Sequence, residues 1–503
     1  MSHLPILPIL IPLLTGALLL LLGARRRARQ RQLGLAASLT QLLLAMLLVR
    51  VTADGTQLVY ALGNWAPPFG IVLVLDRLAA LMLLVTAVVA LPALLYATAG
   101  ADRRGRYFHA LFQLQLLGVN GAFLTGDLFN LFVFFEILLI ASYALLLHGR
   151  TSHRIRAAIP YLVLNLTGSA LFLIGTGTLF GLSGTLNMAD LAVFLSVAEG
   201  DTARLAAAAG MILLIVFSLK AALVPLHGWL PGSYGAAAAP VAALFAIMTK
   251  VGVYALLRLS MLLFGSEAGE VAQLLQPWLW PLALVTIAVG ACGALAAPTL
   301  SVLVAWLVIV SVGTLVAGLA IGTPEATAAT LYYLMHTTWV SAALFLLAGV
   351  IDQTRGGMPL NQPGPALRYP RLIGTLFFLG AIAVVGLPPL SGFIGKVLLM
   401  QATPPASAPW LWSLLLGSTL VLIVALSRAG STLFWRPSLT APVSATPLAR
   451  RLTAVGLLLS VALALALGAD PIYRTLAATA SEIHTPALYS SAVLSVTPVA
   501  GGE

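Results

Sequence analysis

The chain has 503 residues, of which 60% are hydrophobic and only 8% are charged, and its formal net charge is +11. Soluble domains are roughly 45–50% apolar and about 25% charged, so this composition excludes a soluble globular protein and indicates an all-α polytopic membrane protein. The positive charge lies between apolar segments, where membrane topology explains it, and no nucleic-acid partner is expected.

Fourteen apolar stretches are long enough to cross about 30 Å of hydrocarbon. The first has no basic residue before it and a basic cluster after it, the reverse of a cleavable signal peptide, so it is expected to remain as a span. The predicted spans are 4–22, 33–51, 71–97, 108–125, 127–148, 159–181, 206–225, 236–262, 279–297, 301–322, 327–351, 372–402, 410–434 and 452–468.

Arginines assign the loops to two sides of the lipid bilayer. Loops that carry many basic residues face the cytoplasm, so both termini are predicted to lie outside the cell, with the chain in the plasma (inner) membrane. The basic clusters run from Arg25 to Arg31, Arg103 to Arg106, Arg150 to Arg156, Arg355 to Arg371 and Arg436 to Arg451, all in alternate loops.

Proline interrupts two of the predicted spans. Span 7 leads through Pro225 and span 12 through the pair Pro388 and Pro389. Proline frees a backbone carbonyl, which a membrane tolerates only where neighbours or water satisfy it, and broken helices of this kind often mark ion paths. Each break is fourth in a set of five spans (4 to 8 and 9 to 13), a spacing that predicts two inverted repeats.

This division predicts four parts of the chain. The first holds three helices, the next two are the five-helix repeats, and the last holds the final helix and a tail. Their predicted limits are 1–107, 108–262, 279–434 and 435–503.

All three lysines of the chain, Lys220, Lys250 and Lys396, lie inside apolar stretches. An ammonium group at the bilayer centre costs on the order of 3 kcal/mol, so such residues are rare unless the site uses them. A buried lysine can gain and lose a proton, whereas an arginine stays charged. The three lysines therefore suggest proton transfer.

Two further titratable residues lie deep in spans. Glu136, in span 5, is expected to face Lys220 across two helices, although a structural ion pair is the alternative. His336, in span 11, could relay protons, or it could be a structural histidine bonded to a carbonyl or serine. His227, beside the first break, is a supporting candidate. Arg428, near the end of span 13, is expected to reach the surface, with a role in the path as the alternative.

No motif for nucleophilic catalysis, phosphate binding or metal ligation occurs, and the single cysteine, Cys292, excludes a disulfide and a cysteine metal cluster. No cofactor, metal or enzymatic activity is therefore expected.

Several segments together resemble the D subunit of Mrp-type multisubunit Na+/H+ antiporters, which is similar to the antiporter-like membrane subunits of respiratory complex I. The resemblance implies fourteen helices, two inverted repeats that each form a half-channel, a polar axis of lysines and one glutamate, and other membrane subunits as partners. It assigns Glu136 and Lys220 to the charged pair, Lys250 to the connecting lysine and Lys396 to the terminal lysine. The segments are Gly126 to Glu136, Pro225 to Pro231, Met248 to Tyr254, Tyr332 to His336 and Gly386 to Lys396.

One departure from this family concerns the second half-channel. Many relatives carry a lysine five residues after the histidine of span 11, where this chain has Ser341. Protons would then have to pass from His336 to Lys396 through Thr337, Ser341 and water.

The sequence favours a subunit that moves H+ along the buried Glu/Lys/His axis and exchanges it for Na+ in a complex within the lipid bilayer. One alternative is a proton-pumping subunit of a redox-driven complex, and another is a scaffold that transports nothing. The residues do not indicate where sodium binds, and a sister subunit could supply that site.

Overall fold

Helices make up most of the chain, as the composition predicts. The structure is a computed structural model and describes residues 3–23, 26–149, 151–356, 359–438 and 448–496. The first helices are α1 (Leu7–Leu21), α2 (Arg27–Val51), α3 (Arg77–Ala97), α4 (Phe108–Leu124), α5 (Leu128–Leu146), α6 (Ser152–Ser183) and α7 (Met188–Ser196). The middle helices are α8 (Gly200–Ala221), α9 (Trp229–Ala236), α10 (Ala239–Phe245), α11 (Met248–Arg258), α12 (Gln276–Ala296), α13 (Leu300–Ile321) and α14 (Pro324–Arg355). The last are α15 (Pro370–Val385), α16 (Ser391–Gln401), α17 (Ala408–Gly430), α18 (Ala449–Leu467), α19 (Ala469–Ile483) and α20 (Pro486–Leu494).

Two small sheets lie in the loops. Strands β1 (Leu58–Ala61) and β2 (Val72–Leu75) pair antiparallel, with Leu58 opposite Leu75. Strands β3 (Gly364–Pro365) and β4 (Pro437–Ser438) pair in parallel. Short 3-10 helices span Leu4–Ile6, Leu62–Asn64, Ala101–Arg103 and Gly269–Val271, and π-helical turns span Leu259–Leu263 and Ser431–Trp435.

Short polar side chains begin many of the helices. Asp76, Asp127, Thr151, Thr299 and Thr323 each accept a hydrogen bond from a backbone N–H in the first turn of α3, α5, α6, α13 and α14. These caps satisfy amide groups that have no partner within the helix. Such caps matter more at a membrane, where an unsatisfied backbone group costs several kcal/mol.

A helix or a pair of consecutive helices overlaps each of the fourteen predicted spans. Twelve of the described helices are long and apolar enough to cross a membrane, judged by length and composition. Phe108–Leu124 and Pro370–Val385 are apolar but shorter. The membrane fold is therefore confirmed, whereas the count of fourteen spans stays a prediction.

Both predicted breaks are present. Helix α8 is followed by Ala222, whose φ of 63° is left-handed, and α9 begins after residues 222–228. Helix α15 is followed by Gly386, with a φ of 83°, and α16 begins after residues 386–390. A left-handed residue turns the chain out of the helix at each break.

Other irregularities were not predicted from the sequence. Span 8 divides after Phe245 into α10 and α11, without a proline at the junction. A π-helical turn follows both α11 and α17. Helices α7, α19 and α20 lie outside the predicted spans.

Four spans form the centre of the bundle. Helices α3, α13 and α14 and the pair α10–α11 are buried over most of their surface, while α2, α6, α12, α17 and α18 lie at its periphery. Lys250 on α11 and His336 on α14 are therefore enclosed by protein. A charged side chain at either position cannot extend its charged end to water.

Loops that the arginine pattern assigns to one side of the membrane contact one another, and so do loops that it assigns to the other side. On one face, Arg31 donates to Asp102 from Nε at 2.6 Å and from Nη2 at 2.8 Å, and His109 Nε2 lies 3.2 Å from the same carboxylate. Burial raises the pKa of Asp102, but the hydrogen bonds from His109 and Arg31 outweigh it and lower the pKa to about 2. On that face Arg154 also donates to the Ala236 carbonyl at 3.1 Å.

The other face joins the loop before α3, the start of α14 and the tail. Gln57 donates to Glu482 at 3.0 Å, and Thr327 lies 2.9 Å from His484 Nε2. Which face is cytoplasmic stays a prediction. Arg25 and Arg150, which contributed to it, lie outside the described residues.

Candidate functional site

Lys220 occupies the last turn of α8, beside the first break, and is almost fully buried. Its Nζ donates long hydrogen bonds to the carbonyl and side-chain oxygens of Asn165, at 3.3 and 3.4 Å, and to Ser169 Oγ at 3.5 Å. Nζ also lies 5.8 Å from the centre of the Phe135 ring. The amine is thus held by dipoles of α6 rather than by a carboxylate.

Glu136 reaches Lys220 through an intermediary. The carboxylate is half-buried on α5 and accepts a short hydrogen bond from Ser169, the serine that also lies next to Lys220 Nζ. Among the described residues the glutamate and the lysine form no direct ion pair. The side chains of Glu136 and Lys220 lie near each other, as expected, but the Ser169 hydroxyl lies between them.

Lys250 is fully enclosed near the start of α11. Its Nζ donates to Ser311 Oγ at 3.2 Å and lies 3.4 Å from Thr249 Oγ1. None of the described carboxylates pairs with it. A buried ammonium without a counter-charge is costly.

His336 is buried on α14 and contacts the start of α16. The Ser391 hydroxyl donates to the Ala462 carbonyl at 3.0 Å, so its oxygen accepts the Nδ1–H of His336 at 2.8 Å. This contact is the serine bond that the structural alternative describes, and it leaves Nε2 as an acceptor. A Cβ atom on Gly392 would lie 2.7 Å from Nε2 and 2.1 Å from the Ala383 carbonyl, so only glycine fits there.

Lys396, on α16 after the second break, is buried and holds the end of the preceding helix. Its Nζ donates to the Val385 carbonyl at 2.6 Å and to Thr419 Oγ1 at 2.7 Å. At the first break the carbonyl of Leu219, in the last turn of α8, accepts from Trp229 Nε1 at 3.1 Å. Lys220 thus precedes its break whereas Lys396 follows its own, so the two lysines do not occupy equivalent positions, and their partners also differ in kind.

Thr337 and Ser341 are both buried on α14, four residues apart and so on one face of the helix. Neither hydroxyl has a hydrogen-bond partner in the described part of the chain. A buried hydroxyl without a partner costs about 1–3 kcal/mol unless water satisfies it. A role for these two residues in a water-filled route between His336 and Lys396 stays a prediction.

The other two supporting candidates lie apart from this set. His227 is half-buried in the first break, where Nδ1 has no hydrogen-bond partner among the described residues and the ring lies 5.6 Å from that of Trp306. Arg428 is exposed on α17, where Nη1 lies 3.4 Å from the Leu295 carbonyl. Arg428 therefore lies on the exterior of the protein and not among the buried amines, and its reach to the membrane surface stays a prediction.

Sequence reasoning missed the hydroxyl and amide partners of every lysine. The sequence does contain one indication of these partners. Asn165 and Ser169 are polar, lie one turn apart and share the buried face of α6, a helix that otherwise faces lipid. The other missed partners are Ser311, Ser391 and Thr419.

A second missed feature is a buried ion pair. Asp76 is buried, and its carboxylate is not paired with the neighbouring Arg77. Asp76 instead accepts from Nη2 of the buried Arg258 at 2.5 Å, while Arg77 donates to the Ala53 carbonyl at 2.9 Å. Adjacent residues at a helix start point in different directions, which prevents their pairing.

Comparison with known proteins identifies the relatives of this chain. Residues 125–423 match the family model described as NADH:quinone oxidoreductase/Mrp antiporter, TM. The D subunit of a probable K(+)/H(+) antiporter from Rhizobium meliloti (strain 1021) is 41% identical over 100% of this chain and 99% of its own. The D subunit of a Na(+)/H(+) antiporter from Bacillus subtilis (strain 168) is 38% identical over 98% of this chain and 100% of its own.

The fold also matches a solved structure over nearly its whole length. A chain of the Mrp complex from Dietzia sp. DQ12-45-1b aligns with a TM-score of 0.87 and 28% identity, covering 98% of this chain and 99% of that one. Sequence and structure agree, and the chain belongs to the NADH:quinone oxidoreductase/Mrp antiporter family of membrane subunits.

Proposed function

We propose that this chain is the proton-translocating subunit of a multisubunit monovalent cation/proton antiporter in a bacterial plasma membrane. The observation that carries the proposal is Lys250, a fully buried amine held by hydroxyls with no carboxylate partner among the described residues. Full-length relatives named as antiporter subunits support it. A structural role would call for a counter-charge at such a site.

The first step of the proposed path lies at Glu136, Ser169 and Lys220. Protons enter through water near the break at residues 222–228, beside His227. A change in the charge of Glu136 alters the electrostatic environment of Lys220 through Ser169, because the serine contacts both groups. Loss of that negative charge weakens the hold of the lysine on its proton and sends the proton onward.

The later steps run through the centre of the bundle. Lys250 takes up the proton, and Nε2 of His336 accepts it next. Thr337, Ser341 and water then lead it to Lys396. The last lysine can release the proton without losing its place, since the Val385 carbonyl and the Thr419 hydroxyl accept from a neutral amine as well.

We also propose that residues 108–262 and 279–434 are inverted repeats, flanked by residues 1–107 and 435–503. Three features support this division. The fourth span of each set is broken, a left-handed residue ends the first half of each broken helix, and a π-helical turn follows the fifth span. Two sets of five helices in one chain must lie in opposite orientations.

Other membrane subunits are the proposed partners, and H+ and Na+ are the proposed ions, with K+ as the alternative cation. The two relatives differ on this point, since one is named for potassium and the other for sodium. The proposed topology places both termini outside the cell, because the arginine-rich loops share the opposite face.

A redox-driven proton pump is the second candidate, because the family model includes subunits of NADH:quinone oxidoreductase. The two full-length relatives described above favour the antiporter. The scaffold hypothesis predicts that changing the lysines lowers assembly but not transport per complex. A cation-driven pH change without any electron donor distinguishes the antiporter from the redox pump.

The test uses the whole complex in membrane vesicles, with Na+ or K+ added to a preformed proton gradient. We expect Glu136→Gln, Lys220→Ala and Lys250→Ala each to slow the cation-dependent collapse of the gradient at least about tenfold, at wild-type abundance. Thr167→Ala is the control, because Thr167 lies exposed on α6 and bonds only its own helix at the Val163 carbonyl. Normal exchange by all three variants would refute the proposal.

A further inference from the structure

The C-terminal tail covers one end of the helix that carries Lys250. Helices α19 and α20 follow the last span, and α19 packs on α3 and α14 while α20 packs on α7. Glu482, at the end of α19, accepts from Gln57 at 3.0 Å and lies 3.6 Å from Arg77. The tail is therefore fixed by polar contacts to the loop and the helix start that precede the bundle.

Beneath the tail, three polar side chains follow one face of α11. Lys250, Tyr254 and Arg258 are spaced by four residues, so they lie one above another. Eight residues of helix separate the lysine from the arginine by about 12 Å. All three side chains are buried, and this line of side chains leads from the central amine to the face where the tail docks.

The hydrogen bonds along this line run in one direction. Arg258 Nε donates to the Tyr254 oxygen at 3.1 Å, and the Tyr254 hydroxyl donates to the Phe123 carbonyl at 2.7 Å. Arg258 Nη2 donates to Asp76 at 2.5 Å. A guanidinium has five donors and no acceptor, so it cannot take a proton from Tyr254 and pass it on.

The tail helps to hold the guanidinium in this place. The centre of the Tyr489 ring, on α20, lies 5.2 Å from Arg258 Cζ, and that of the Tyr254 ring lies 5.3 Å away. A cation between two aromatic faces is stabilised by both rings. Asp76 fixes it from the third side, so α3, α11 and the tail together determine its position.

We propose that Arg258 is a proton barrier that keeps protons on Lys250 from leaking to the face covered by the tail. This proposal rests on the proposed function, since it takes Lys250 to carry protons. The barrier acts in two ways: the fixed positive charge repels a proton, and the donor-only group interrupts the chain of acceptors. Tyr489 and Asp76 are positioning residues, and they give the tail a role in transport.

The experiment measures passive proton leak in vesicles that hold the whole complex, with choline as the added cation in place of Na+ and K+. A unit charge about 5 Å from a passing proton would slow it by roughly 300-fold at an effective dielectric constant of 20. Asp76 offsets part of this charge, so we expect Arg258→Gln to raise the leak at least about tenfold. Arg258→Lys, which keeps a donor-only cation, should raise it less.

Two further variants test the origin of the leak. Tyr489→Leu removes the ring over the guanidinium and should raise the leak several-fold. Adding Lys250→Ala to Arg258→Gln should return the leak to the wild-type level, because the protons then have no central carrier. Arg474→Gln is the matched control, since Arg474 lies exposed on α19 and, in the described part of the chain, forms an ion pair with Asp470 alone.

Wild-type leak in assembled Arg258→Gln complexes would overturn the proposal. If that variant does not accumulate, Tyr489→Leu or Glu482→Gln gives the answer, and wild-type leak in the one that assembles overturns the proposal equally. A raised leak that persists after Lys250→Ala would refute the proposed route. Because leak is measured without a transported cation, these outcomes are distinct from a loss of exchange, which tests the proposed function.

Discussion

Removal of the Ser169 hydroxyl tests the link between the first carboxylate and the first amine. In Ser169→Ala, Glu136 loses the hydrogen bond that it accepts from Ser169, and Lys220 loses one of its three acceptors. A hydrogen bond to a charged group contributes about 1.5–3 kcal/mol. The lower value applies here because Glu136 is half-buried, and about 1.5 kcal/mol corresponds to a roughly tenfold change in rate.

The assay is cation-driven collapse of a proton gradient in vesicles, normalised to the amount of assembled complex. We expect Ser169→Ala to exchange about tenfold more slowly than wild type, and Ser169→Thr, which keeps the hydroxyl, to stay within about threefold. Thr167→Ala removes a hydroxyl two residues away on the exposed side of α6 and should exchange normally. Wild-type exchange by Ser169→Ala would show that the two charges do not communicate through this serine.

Two further predictions concern a glycine in the second half-channel and an ion pair between loops. Gly392→Ala should slow exchange at least about tenfold, because the added Cβ would lie 2.1 Å from the Ala383 carbonyl and 2.7 Å from His336 Nε2; normal exchange would place the path elsewhere. Asp102→Asn, which leaves Arg31 without its buried partner, should lower the free energy of unfolding by about 3 kcal/mol. Because folding lowers the pKa of Asp102 to about 2, its contribution to the free energy of unfolding is complete above about pH 4 and is lost as the pH falls toward 2. If the Asn variant lost as much stability as the wild type over this pH range, the reasoning would be refuted.

The positions of residues that are energetically unfavourable within a membrane span could be predicted from the sequence. A lysine within an apolar stretch must be buried or paired, and a proline in a span must free a carbonyl, so Lys220, Lys250 and both breaks were found without coordinates. Both arguments depend on local sequence and on the cost of burial alone. They need no knowledge of which helices touch.

The partners of those residues could not be predicted. A serine or threonine within a helix can donate a hydrogen bond to a backbone carbonyl of the preceding turn. Burial of Ser169 and Ser311 is therefore not unfavourable, and nothing in the sequence distinguishes these two residues. The Asp76 and Arg258 pair joins residues 182 positions apart, which no local pattern reveals. The same holds for the division after Phe245, where no proline marks the junction.

The tail helix could have been found from its pattern. The buried residues of α19, Leu476, Thr479 and Ala480, recur at helical spacing, which indicates an amphipathic helix rather than an extended tail. A search for membrane spans passes over such a helix because its exposed face is polar.

The central claim is that buried lysines act by gaining and losing protons, and Lys250→Arg tests it most directly. Arginine keeps the positive charge but does not release its proton near neutral pH, so a structural cation tolerates this change while a proton carrier does not. The measurement is cation-driven proton exchange per assembled complex, with Lys396→Arg measured beside it in case Lys250→Arg does not assemble. The account predicts that the arginine variant assembles and loses at least about 90% of exchange, and exchange at the wild-type rate would contradict it.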